Sequence, residues 1–110
     1  MKVKNFYNLN QFYIKGNGGE EYLQSYNSLV IEITNYNGCY QTIILGKDWD
    51  YSRTTLKHVY LFLEEKSKLT FDGVTNKKAY INKLLKEYQK DKNKFLDKYN
   101  FAIVYNEEMI

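Results

Sequence analysis

Asp48 and Asp50 flank the chain's only tryptophan, Trp49, and its only arginine (Arg53) and only histidine (His58) follow within ten residues. Two carboxylates two positions apart are raw material for a divalent-cation site or for acid/base catalysis. A metal-dependent nuclease also needs a further carboxylate and a lysine converging on them. Glu64 and Lys66 have the right types but fall at the far end of the helix expected to follow, about 20 Å from its start at about 1.5 Å per residue. The reading adopted is therefore structural: both carboxylates favour a helix N-terminus, and one of them caps it. His58 and the single Cys39 cannot make a zinc site between them. His58, beside Leu56, Val59 and Tyr60, reads as a helix-surface or satisfied core histidine. Cys39 follows Gly38 in a hairpin signal and has no cationic neighbour to lower its pKa, so it is not read as a nucleophile. Gly16, Gly18 and Gly19 belong to a hairpin, not to a phosphate-binding loop between strand and helix. No catalytic residue, metal ligand or cofactor is assigned.

Two binding constellations remain. Trp49, Tyr51 and Arg53 are the residue types enriched at protein interfaces, and with Asp48 and Asp50 they form the protein-interaction candidate. The competing role for Trp49 is packing, as a wedge between the helix and the sheet edge. Lys83, Lys86, Lys90 and Lys94 are spaced by three, four and four, one stripe of a helix, with Tyr80 nearby to stack on bases. That is the nucleic-acid alternative. Its simpler counterpart is a solvated helix face, diluted by Glu87 and Asp97.

The elements that must position these groups are legible in the patterning. Gln11 to Lys15 alternates as a strand, and Gly16-Asn17-Gly18-Gly19 is a tight reversal. Glu20 to Tyr26 is a second strand. Asn27-Ser28 turns it into Leu29 to Thr34, with Leu29, Ile31 and Ile33 expected on one face. Asn35-Tyr36-Asn37-Gly38 signals another hairpin, returning through Tyr40 to Leu45. Period 3.6 begins after Tyr51: Leu56, Val59, Tyr60 and Leu63 recur at i, i+3, i+4, i+7, with Asp50 or Ser52 as the cap. Leu61 and Phe62 widen that stripe, which places the helix across the sheet. Thr75 is expected to cap a long second helix broken near Asp91 to Asn93, and Phe101 to Tyr105 is a final short strand. The fold expected is α+β, an antiparallel sheet of four to five strands beginning as a meander and packed against two helices, in a single domain.

At 110 residues, 44% hydrophobic and 26% charged, the chain has the composition of one globular domain with its own core. No apolar run approaches the length of a spanning helix, and the first residues lead into no signal-peptide core. One cysteine fits a reducing cytosol, so a cytoplasmic location is expected. The net charge of +3 divides into −1 over residues 1–51 and +4 over 52–110, compatible with nucleic acid without implying it. Twelve Tyr, twelve Asn and fifteen Lys against one Arg are residues of AT-rich codons. Much of the tyrosine content therefore reflects a low-GC genome.

Tyr26-Asn27-Ser28-Leu29-Val30, Asp50-Tyr51-Ser52-Arg53-Thr54-Thr55-Leu56-Lys57 and Tyr60-Leu61-Phe62-Leu63 resemble a group of small uncharacterised proteins carried by phages and conjugative elements of low-GC Gram-positive bacteria. The resemblance runs from about Gln11 to Leu85. Proteins of that setting include anti-CRISPR inhibitors. What the resemblance implies is a non-enzymatic accessory protein that binds a host protein, in the sharpest form a CRISPR-associated nuclease; no catalytic residues carry over.

Overall fold

The computed structural model describes residues 2–35 and 40–109. Cys39 and the Tyr36-Asn37-Gly38 part of the second hairpin signal lie outside the described residues. The elements run β1 (Lys2–Asn5), β2 (Gln11–Lys15), β3 (Glu21–Ser25), β4 (Ser28–Asn35), β5 (Gln41–Gly46), α1 (Arg53–Lys66), α2 (Lys77–Lys90), α3 (Lys92–Tyr99) and β6 (Phe101–Asn106). The strands form one sheet in the order β1-β2-β3-β4-β5-β6. Neighbours are antiparallel except β5 and β6, which pair in parallel from Gln41 opposite Phe101.

This is the expected α+β class, with six strands instead of four to five and three helices instead of two. β1 escapes sequence patterning because all four of its residues are exposed; only its pairing with β2 makes it a strand. The parallel final pair follows from the crossover. A parallel partner cannot be reached by a tight turn, and the three helices carry the chain back to the end where β5 began. The expected helix break is real: the Asp91 N–H closes α2 on the Glu87 carbonyl, while its carboxylate accepts from the Lys94 N–H and opens α3. Of the two caps expected for α1, Ser52 and not Asp50 accepts the Thr55 N–H, so neither carboxylate is the cap; at α2 the cap differs from expectation, with Asn76 and not Thr75 accepting the Ala79 N–H. In both cases the residue immediately preceding the helix can reach the third amide, and one further back cannot.

The helices cover one side of the sheet. α1 lies against β3 and β4, and α2 and α3 against β6. Under them sit Tyr13, Leu23, Ile31, Ile33, Ile43, Leu45 and Ile103, together with Val59, Phe62, Leu63, Ile81 and Leu84 from the helices. Each fully buried aliphatic or aromatic side chain of this set contributes roughly 1.5–3 kcal/mol of transfer free energy. Edge-to-face ring contacts attach the last helices: Tyr60 to Phe71 at 5.6 Å, Phe71 to Tyr80 at 6.2 Å, Tyr88 to Phe95 at 5.5 Å and Phe95 to Phe101 at 5.6 Å.

Leu29, Ile31 and Ile33 do not share a face. A bulge between Leu23 and Gln24 shifts the register, so Leu29 pairs with Gln24 on the uncovered side while Val30 and Ile31 are both buried. One extra residue inverts the alternation on its far side. β5 ends beside this bulge at Gly46, where a Cβ would come within 2.4 Å of the Leu29 carbonyl oxygen; only glycine fits that approach.

Candidate protein-interaction site

The β1–β2 loop, the β3–β4 turn, the segment from β5 to α1 and the C-terminal end of β6 all lie at one end of the sheet, here called the loop end. Two turns carry the chain from β5 into α1. The Trp49 N–H bonds the Gly46 carbonyl at 3.1 Å, and the Tyr51 N–H bonds the Asp48 carbonyl at 3.1 Å. This folding sends the five candidate side chains in different directions.

Trp49 is 4% exposed and belongs to the core cluster. Its indole also forms part of a cleft of about 600 Å³ with Leu85, Tyr88 and Tyr105. Burial at this corner fits the packing role for Trp49 and not that of an exposed contact residue. Asp48 accepts from the Ser28 hydroxyl at 2.7 Å, and Asp50 lies 3.5 Å from the Lys78 ammonium. The two carboxylates therefore pin the corner to β4 on one side and to α2 on the other. Neither caps the helix, and they do not converge on a common point. Among the described residues no group of three or more His, Cys, Asp or Glu could hold a metal ion. The Asp50 charge adds to burial in raising the Tyr60 hydroxyl above its ordinary pKa.

Tyr51 and Arg53 are exposed, Tyr51 at 76%. Tyr51 and Tyr26, the latter 48% exposed, both line a cleft of about 610 Å³. Tyr26 is not among the interaction candidates read from the sequence, where it closes the Glu20 to Tyr26 strand and opens one of the blocks that carry the resemblance; the strand in fact ends at Ser25. Tyr26 holds a left-handed backbone with φ 56°, a strained state for a bulky residue, and its N–H bonds the Asn10 carbonyl at 2.7 Å. The cleft is backed by a buried polar seam. Gln11 Nε2 donates to Ser25 Oγ at 2.9 Å, Ser25 Oγ and Thr55 Oγ1 share a bond at 2.9 Å, and Ser52 Oγ donates to Thr55 Oγ1 at 3.2 Å. This seam ties β2, β3 and α1 together beneath the two tyrosines. His58 is a satisfied core histidine: it is 4% exposed, and its Nδ1 lies 2.7 Å from the Thr54 carbonyl, an acceptor, so Nδ1 carries the proton.

The lysine stripe is split. Lys83 lies 3.7 Å from Glu87, whereas Lys86, Lys90 and Lys94 have no partner among the described residues. Lys83, Lys86 and Lys90 border one shallow cleft, and Lys90 and Lys94 border another where α2 turns into α3; Glu87 stands in both. Tyr80 is half-buried against Phe71, and burial foremost raises its hydroxyl above its ordinary pKa.

Fold and site together define a helix-covered α+β sheet with a tyrosine-lined loop end. The chain belongs to a family of unknown function (DUF8033), whose model matches residues 1–100. No curated protein and no solved structure matches it. Among the described residues, no helix is long and apolar enough to cross a membrane.

Proposed function

We propose that this chain acts by binding and not by catalysis, docking on a host protein through the loop end with Tyr51, Tyr26 and Arg53 as its anchors. One observation carries the reading: two exposed tyrosines, Tyr26 and Tyr51, line a single cleft beside a buried hydrogen-bonded seam. Tyrosine presents a large amphipathic surface at small entropic cost, and rigid support lowers that cost further. The sequence resemblance supplies the sharper form, an accessory protein of a mobile element that inhibits a defence nuclease in the host cytoplasm. Co-purification with a CRISPR-associated nuclease complex and reduced CRISPR interference on expression are the expected results. Tyr51→Ala with Arg53→Ala should abolish both effects while the circular dichroism spectrum stays the same. Unchanged interference together with no captured nuclease rejects the inhibitor reading.

A second reading is favoured by one specific feature: residues 77–99 carry eight lysines against three carboxylates, and three of those lysines have no partner among the described residues. As a nucleic-acid module the chain would bind DNA or RNA with an affinity that falls steeply with salt. Lys86→Glu with Lys90→Glu would abolish that binding. Absence of a salt-sensitive gel shift rejects it.

A further inference from the structure

The two edge strands of the sheet, β1 and β6, differ in how they meet solvent. β1 carries Lys2 and Lys4 along its exposed length, and lysines on an edge discourage another chain from pairing there. β6, Phe-Ala-Ile-Val-Tyr-Asn, has no charged residue. Its start is closed by α3, with Phe95 and Tyr99 packed on Phe101. Exposure then grows along the strand: Ile103 is buried, Val104 half-buried and Tyr105 47% exposed. Side chains alternate between the two sides of a strand, yet the cleft beside Trp49 is lined by Ile103, Val104 and Tyr105 in succession. A hollow that meets three consecutive residues runs along the outer edge of the strand. Among the described residues, the backbone groups of these three make no hydrogen bond beyond the pairing with β5.

We infer that this open edge takes up an extended, acidic segment of a partner protein as a seventh strand. Free main-chain donors and acceptors in a row are matched by the main chain of another strand. The walls of the cleft specify what that strand carries. Leu85 and Tyr88 of α2, with Trp49 and Tyr105, make an apolar wall on the helix side, which suits an aromatic or branched side chain. Lys47 and Lys92 stand exposed at the same cleft, and neither forms an ion pair among the described residues. The Lys92 ammonium lies 5.8 Å from the centre of the Tyr88 ring. The one carboxylate in the lining, Asp50, is already 3.5 Å from the Lys78 ammonium. Glu107 and Glu108 follow β6 and lie outside the lining. Two cations without counter-charges therefore complement a segment in which apolar residues are flanked by Asp or Glu. Tyr26, Tyr51 and Arg53 line no part of this cleft, so the inference stands apart from the docking reading.

A phage-displayed library of random linear peptides, selected against the full immobilised chain, supplies the probe. Enriched peptides should combine apolar residues with Asp or Glu, and on titration they should shift the backbone NMR signals of Ile103, Val104 and Tyr105. One side of an added strand bonds β6 and the other faces solvent. An enriched peptide N-methylated at every second residue should therefore lose binding in one phase and keep it in the other. Equal binding of the two methylated forms overturns strand addition. Lys47→Glu with Lys92→Glu, its folding checked by circular dichroism, should weaken the native peptide by roughly three- to tenfold, the size of two exposed ion pairs. Unchanged affinity overturns the acidic preference. A selection that enriches nothing overturns the inference, and so do signal shifts confined to the Tyr26–Tyr51 cleft or to any other surface.

Discussion

Ile43 and Ile44 are neighbours in β5 with the same chemistry and opposite surroundings. Ile43 points under the helices and is 0% exposed; Ile44 points to the uncovered side and is half-buried. The contrast extends across the sheet, with Tyr13 against Phe12 and Leu23 against Tyr22. Both faces carry large apolar residues, yet only one is closed by the chain's own helices. Apolar content alone therefore does not say which face holds the core. That is settled by where the crossover from β5 to β6 lays its helices.

The contrast can be broken most severely on the covered side. Trp49→Ala should cost about 3–5 kcal/mol in urea denaturation, because it empties a buried aromatic site where the corner meets the helix layer. A loss below about 1 kcal/mol would mean the indole does not wedge the corner. Within β5, Ile43→Ala should cost about 2–5 kcal/mol. Ile44→Thr, keeping β-branching on the uncovered face, should cost less than about 1 kcal/mol. Equal losses at the two positions would erase the distinction between the faces. Ser52→Ala should cost about 1 kcal/mol by removing the α1 cap, whereas Asp50→Asn leaves that cap untouched.

The smallest effect is the pH response of Glu32. Burial, and then the Glu20 charge, raise its carboxyl above the ordinary 4.5, against the opposing pull of the Tyr22 hydroxyl. The folded chain therefore holds this proton where the unfolded chain has already lost it, and stability falls as pH rises from 4.5 through the raised value. Glu32→Gln should flatten that slope and melt higher than the native chain at neutral pH. The difference should close below 4.5. A variant that melts lower at neutral pH would show that the ionised carboxylate is stabilising.

Much of the site was visible as residue types but not as directions. Trp49, Asp48, Asp50, Tyr51 and Arg53 stood out because four of them are rare or charged residues at a change of periodicity. Their separation into a buried wedge, two tethers and two exposed groups depends on the turns at Gly46 and Asp48. Tyr26 was missed because its exposure comes from a left-handed turn residue, which no side-chain pattern encodes. Lys83, Lys86, Lys90 and Lys94 lie on helical residues as expected, but the Asp91 break divides them between two clefts.

What the sequence by itself determined is local: strand and helix periods, the glycine reversal at Gly16 to Gly19, the helix break at Asp91 and the α+β class. These depend on neighbours a few residues away, where propensity and hydrogen-bond reach act directly. Tertiary structure alone decided β1, the bulge that turns Leu29 outward, the parallel pairing of β6 and the fate of Trp49. Each of those is set by a contact between distant segments, and a period of two or 3.6 residues carries no information about which of two apolar faces a distant helix will cover.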